Sequence, residues 1–114
     1  MTRRDEFARV RTTGQAKAGR FVILSTLPEP ALVGIRTGFI TTKRSAKKAH
    51  DRNLLRRRFR SMIQLHAPGF ADMNRYVVTI ARPGAAAATY AELEADWLRQ
   101  AKRLGLFGPQ PSRP

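Results

Sequence analysis

Apolar residues recur along this chain at two spacings, and the alternation between them predicts the elements. Phe7 and Val10 stand three apart, with Arg3, Arg4, Arg9 and Arg11 elsewhere around the same turn, which predicts a short helix over 3–13. Thr2 followed by Asp5 has the form of a capping box, the acids Asp5 and Glu6 suit the positive end of a helix, and Gly14 suits its exit. The small polar run 15–19 allows a short edge strand. Residues 20–27 (RFVILSTL) and 36–42 (RTGFITT) are rich in β-branched and aromatic residues and predict two strands, the first ended by Pro28 and Pro30. In the second, Phe39 and Thr41 face one side while Gly38, Ile40 and Thr42 face the other. Gly38 marks either a bulge or a close backbone approach.

A helical period returns next. A helix starts between Ser45 and Asp51, either of which could cap it, and runs to about Leu65. Taking Leu55 as zero, Phe59, Met62 and Ile63 fall within about 80° of it on a helical wheel, and Arg56, Arg57 and Arg60 lie between about 100° and 200°. Arg58 flanks the apolar face on the other side, and Leu54 falls on that flank as a half-buried position. Pro68 and Gly69 end the helix, and 72–74 is a turn. Residues 75–81 (RYVVTIA) predict a further strand. Thr89 with Glu92 forms a capping box for a last helix carrying Leu93, Trp97 and Leu104 on one stripe and ending at Gly105.

The predicted order is helix, short strand, strand, strand, helix, strand, helix. That is an α+β domain: a small sheet of about four strands and three helices, with the helices mainly on one face. The strand–helix–strand unit over 36–81 predicts two parallel strands. A single domain over 1–108 is expected, followed by a disordered proline-rich tail at 109–114.

Charge changes the picture. The chain carries 22 Lys and Arg against 8 Asp and Glu, for a net charge of +14, and its pI is near 11.8. Such an excess points to a polyanion, either nucleic acid or an anionic membrane surface. Seventeen of the 22 are Arg, whose planar fork suits phosphates and guanine edges, and this favours nucleic acid. Residues 43–60 (KRSAKKAHDRNLLRRRFR) hold nine bases in eighteen positions with Asp51 as their only acid. A solvated basic tail needs no apolar stripe, so this stretch is folded on one side and free to meet a partner on the other. The absence of cysteine excludes disulfides and thiolate metal sites. No apolar run approaches ~20 residues and no signal-peptide core opens the chain, so a soluble, cytoplasmic protein without a membrane partner is expected.

Catalytic chemistry is sparse. His50 and His66 stand at no metal-ligand spacing, the acids read as caps, turn residues or solvated helix positions, and there is no phosphate-binding glycine loop. No catalytic residue and no metal ligand is assigned, and no small-molecule substrate is implied. Binding remains. Phe7 reads either as a core anchor or as a platform for a stacked base, and Phe21 either as a core strand residue or as a second platform.

The segment TTKRSAKKAHDRNLLRRRFR resembles the signature of the protein subunit of bacterial ribonuclease P. Lys43 and Arg44 match its basic pair at a strand end, Arg52 and Asn53 the start of its Arg-Asn-Arg core, and Arg56 and Arg57 the basic doublet that follows. The resemblance extends over most of the chain: RRDEFARVRTTG is similar to the first helix of the family, FVILSTLP to the strand before the loop, and RYVVTIARPGA with TYAELEADWLRQAKRLG to the closing strand and helix. Three positions depart. Leu54 replaces the last Arg of the core, Ala46, Lys47 and Lys48 replace a shorter glycine-containing stretch, and Arg11 replaces a second aromatic of the first helix. The resemblance implies the fold of a ribosomal-protein and elongation factor G domain, with a left-handed strand–helix–strand crossover in place of the usual hand. It implies an accessory subunit of an endoribonuclease, in which a catalytic RNA with its own magnesium removes the 5′ leader of precursor tRNA, and no cofactor bound by the protein alone. The ribonuclease P RNA would meet Lys43, Arg44, Lys47, Lys48, Arg52, Asn53, Arg56, Arg57 and Arg60. The single-stranded leader of precursor tRNA would lie in a cleft bordered by Phe7, Arg11, Phe21 and Arg82. Two other readings of the basic surface are a ribosomal-type binding module and a DNA-binding helix; nothing marks a turn–recognition-helix pair for the latter.

Overall fold

A computed structural model of the chain describes residues 4–108. The expected cap at Thr2 and the tail at 109–114 lie outside those residues. Helix α1 (Arg4–Thr13) leads into strands β1 (Gln15–Ala18), β2 (Val22–Pro28) and β3 (Ile35–Ile40), helix α2 (Ala49–His66), strand β4 (Arg75–Ala81) and helix α3 (Tyr90–Arg103). The strands form one mixed sheet in the order β1-β2-β4-β3. β1 pairs with β2, and β2 with β4, in antiparallel register, while β3 runs parallel to β4 across the α2 crossover. The predicted order and the α+β class hold.

Strand alternation assigns the two faces. Val22 and Leu24 of β2 and Val77 and Ala81 of β4 enter the larger core with Leu55, Phe59, Met62 and Ile63 of α2 and Leu93, Trp97 and Ala101 of α3. Tyr76 and Val78 of β4 and Leu27 of β2 enter a smaller cluster with Val10 of α1. The sheet is therefore covered by α2 and α3 on one face and by α1 on the other. Trp97 is fully buried and its indole N–H donates to Thr79 Oγ1 at 3.1 Å, so the centre of the larger core has no orphan donor.

Three local readings gain their physical reason here. Gly14 takes no left-handed conformation; its place is fixed by crowding, since a Cβ there would lie 2.5 Å from the Thr26 carbonyl oxygen. Gly38 forms no bulge, because the β3–β4 register runs unbroken through Gly38 and Val78. The last helix behaves as predicted: Thr89 and Glu92 close a reciprocal capping box, and Gly105 takes φ 73° just beyond its end.

Candidate nucleic-acid interface

The basic helix begins between the two expected caps, as the sequence reading has it, and is capped by neither. Lys48 is the N-cap residue of α2 and makes no side-chain cap. Ser45 is used elsewhere: its hydroxyl accepts from Thr42 N–H at 3.0 Å and donates to the Thr42 carbonyl at 2.8 Å, which closes the turn after β3. Asp51 sits inside the first turn, where its charge meets the positive end of the helix. From there the amphipathic reading is met closely. Leu55, Phe59, Met62 and Ile63 are buried, Leu54 is half-buried, and Arg57 and Arg60 are exposed.

Two arginines fix the frame on which the others are displayed. Arg52 Nη1 donates to the carbonyls of Ala46 and Lys47 at 2.9 and 2.8 Å, tying the connecting loop to the first turn of α2. Arg56 Nη1 donates to Thr41 Oγ1 at 2.6 Å, and its Nη2 donates to Asn53 Oδ1. The helix is thereby bolted to the end of β3. Lys43, Arg44, Lys47 and Lys48 stand exposed around this ordered loop. Arg58, on the opposite flank, reaches the Ala88 carbonyl at 3.3 Å.

Every acceptor in this frame is neutral. Among the described residues, the ion pairs are Arg9 with Glu29, Arg36 with Glu6, His66 with Glu94 and Arg75 with Asp72. None involves a base between Lys43 and Arg60. Position is held by carbonyls, a hydroxyl and an amide, so among the described residues none of the nine bases is tied up in an ion pair and only the charge of Asp51 stands against them. A positive field of that density, on a rigid and partly apolar support, attracts a polyanion.

A second feature lies on the other face of the sheet. Arg4, Phe7, Ala8 and Arg11 share one side of α1 at the i, i+3, i+4, i+7 spacing and wall a cleft of about 360 Å³. Its floor is Ser25, Ile40, Val78 and Ile80. Phe7 packs against the smaller core and also lines the cleft. Near the cleft, Glu6 of α1 accepts from Arg36 of β3 at 2.5 Å (Nε) and 3.1 Å (Nη2). The Arg36 hydrogen bond holds the Glu6 carboxyl below the usual carboxylate range, and Glu6 in turn raises the Arg36 guanidinium.

Phe21 and Arg82 do not join this cleft. Phe21 lies in the bend before β2 and packs against the larger core, on the α2 and α3 side. Arg82 Nη1 donates to the Gly19 carbonyl at 2.6 Å, and Arg82 N–H to the Phe21 carbonyl at 2.9 Å. The pairing of Phe21 with Phe7 fails because Phe21 lies in the bend before β2, outside the strand alternation that would have turned it, opposite to Val22, towards α1. Sequence reasoning assigned neither Arg4 nor the floor residues to the cleft. Arg4 follows from the helical spacing of Phe7 and Arg11, and the floor from strand alternation.

Of the two histidines, His50 is exposed and His66 Nε2 is 2.9 Å from Glu94 Oε2, bridging the end of α2 to α3. No three His, Asp or Glu side chains among the described residues are grouped to hold a metal ion. No helix among them is long and apolar enough to cross a membrane.

Comparison with known proteins gives the following. A family profile described as Ribonuclease P matches residues 1–105. The ribonuclease P protein component of Chloroflexus aggregans is 31% identical over 109 residues, covering 96% of this chain and 79% of that protein. That of Thermus scotoductus is 38% identical over 102 residues, covering 89% of this chain, and the chain spans 57% of that relative's length. Among solved structures, the RNase P protein of Staphylococcus aureus superposes with a TM-score of 0.85 at 20% identity, covering 95% of this chain and 96% of the other. The RNase P protein of Thermotoga maritima superposes with a TM-score of 0.76 at 17% identity, over 88% and 92% of the two chains.

Proposed function

The chain belongs to the ribonuclease P protein family, and from that premise we propose that it is the RNA-binding protein subunit of a ribonucleoprotein that removes the 5′ leader of precursor tRNA. The observation that carries the reading is the frame of α2. Its arginines are positioned by neutral acceptors and the charge between Lys43 and Arg60 has no carboxylate partner among the described residues. On this reading the ribonuclease P RNA meets the exposed cations Lys43, Arg44, Lys47, Lys48, Arg57 and Arg60. Arg52, Asn53 and Arg56 hold the loop and helix in place and add their charge and polar groups to the same contact. The 5′ leader of precursor tRNA lies in the cleft under α1, where Phe7 offers a ring and Arg4 and Arg11 meet phosphates.

Phosphodiester hydrolysis is assigned to the RNA partner. The interface is cationic and gathers no carboxylate cluster, which suits phosphates and not magnesium, so the metal is assigned to the RNA as well. The contribution of the protein is then binding and placement: it neutralises phosphates that otherwise repel one another and holds the leader in register.

Reconstitution tests this. The protein is mixed with a bacterial ribonuclease P RNA at low magnesium and cleavage of precursor tRNA is followed. Faster removal of the leader than with RNA alone is expected. No stimulation overturns the reading, and cleavage by the protein without RNA overturns the division of labour.

A further inference from the structure

We propose that Arg60 and Phe39 form a stacking subsite for one unpaired base of the RNA partner, at the open edge of the sheet. The proposal rests on the reading of α2 as the RNA-facing helix and adds a contact of a different kind to it.

Among the described residues, β3 has β4 on one side and no strand on the other. Along that edge a groove of about 310 Å³ runs between β3 and α2, walled by Arg60, Ile63 and Gln64 and floored by Ile35 and Thr37. Phe39 is next on the same side of β3, at the i+2 spacing from Thr37. It packs against the larger core and remains half-buried. The Arg60 guanidinium carbon lies over its ring, 5.8 Å from the centroid.

An exposed arginine ordinarily spreads over its rotamers. Here the ring's negative face attracts the guanidinium. A guanidinium held over a ring is itself a plane on which a nucleobase stacks. Arg56 and Arg57, one turn earlier on α2, supply charge for the flanking phosphates. The groove itself offers the apolar side chains of Ile35 and Ile63, unsuited to a phosphate and suited to a base, with the Gln64 amide to meet a base edge. Only an unpaired nucleotide fits, because a base inside a duplex has both faces covered.

The chain has a second Arg–Phe pair, Arg20 over Phe21 at 5.1 Å, and it makes a useful contrast. Glu92 shares its recess and puts a carboxylate beside Arg20. Among the described residues Arg60 pairs with no carboxylate, so its charge stays available.

The test uses a short single-stranded RNA carrying one 2-aminopurine, and a fully paired duplex of the same length. All proteins carry Phe7→Ala, to remove the contribution of the α1 cleft. Phe39→Leu keeps an apolar side chain, and Arg60→Lys keeps the charge while losing the plane. Each is expected to weaken single-strand binding about tenfold, the size of one stacking contact, and to lose the quenching of 2-aminopurine. Duplex affinity and the salt slope are expected to stay unchanged. Arg60 is exposed, so Arg60→Lys reports even if Phe39→Leu disturbs packing. Equal losses on both RNAs, or no loss on either, overturn the stacking subsite. A parent protein that binds neither RNA in a salt-dependent way overturns the proposed function itself.

Discussion

Gly19 is glycine because Asp96 occupies the space its side chain would need. A Cβ at Gly19 would overlap both carboxylate oxygens of Asp96. The buried Asp96 carboxylate accepts from the backbone N–H groups of Phe21 at 2.8 Å and Val22 at 3.1 Å, and from Gln100 Nε2 at 3.1 Å. α3 is thereby pinned to the turn that opens β2. Asp96→Ala leaves those donors unanswered and is expected to cost about 1–3 kcal/mol for each group left unpaired, read as a lower midpoint in chemical denaturation. Gly19→Ala should destabilise by pushing the same carboxylate away. The double variant should lose less than the sum of the two, because both act on one network. Strict additivity would separate the two residues.

The Glu6–Arg36 pair gives a pH dependence. The folded-state pKa of Glu6 lies below the ordinary carboxylate value, so the pair contributes fully above that value and its contribution is lost as pH falls through the lowered one. Carboxyl titration by NMR should show Glu6 ionising at lower pH than an ordinary glutamate, and Arg36→Met should move it back up. A Glu6 titration unaffected by Arg36→Met would contradict the assignment of the cause.

Phe7 and Phe21, on opposite faces of the sheet, are expected to separate in a leader assay. Phe7→Ala should weaken binding of precursor tRNA with its leader by about 5- to 150-fold, the range of a single stacking interaction, and leave leaderless tRNA unaffected. Phe21→Ala should not discriminate between the two RNAs, since Phe21 packs against the larger core, away from the α1 cleft. A leader-specific loss in Phe21→Ala would return it to the cleft.

Arg52 should act through the loop it holds. Arg52→Ala removes the fork that joins the Ala46 and Lys47 carbonyls, so amide exchange across 43–48 should accelerate while the core of α2 keeps its protection. Arg52→Lys keeps the charge but not the planar fork and should restore exchange only in part. Unchanged exchange in Arg52→Ala would show that the loop is ordered by Ser45 and Thr42 alone.

Much of the fold is legible because its elements obey a period. The stripe of Leu55, Phe59, Met62 and Ile63 gives α2 its buried face, and the β-branched run 75–81 coincides with β4 from end to end. The start of α2 is hidden because Ser45, a good cap by type, is consumed in the turn it closes with Thr42. Asp96 is hidden for another reason: its partners are backbone N–H groups 74 and 75 positions away, and no local pattern marks such a carboxylate as buried. Phe21 shows the weakness of phase at a strand end, where one residue decides the face. At the interface, the count of bases is visible in the sequence. Which of them are free is not, because Arg52 and Arg56 differ from Arg57 and Arg60 only in what the folded chain brings beside them.

The claim that the exposed bases of this stretch neutralise RNA phosphates is tested most directly by the salt dependence of affinity for ribonuclease P RNA. Lys48 and Arg57 are both exposed, one at the start of α2 and one on its outer strip. Their joint replacement, Lys48→Ala with Arg57→Ala, should leave the melting temperature unchanged. It should reduce the slope of log affinity against log salt by about 1.4–1.8, because two phosphates are no longer neutralised. A weaker affinity with an unaltered slope, or no change in either, would contradict the account.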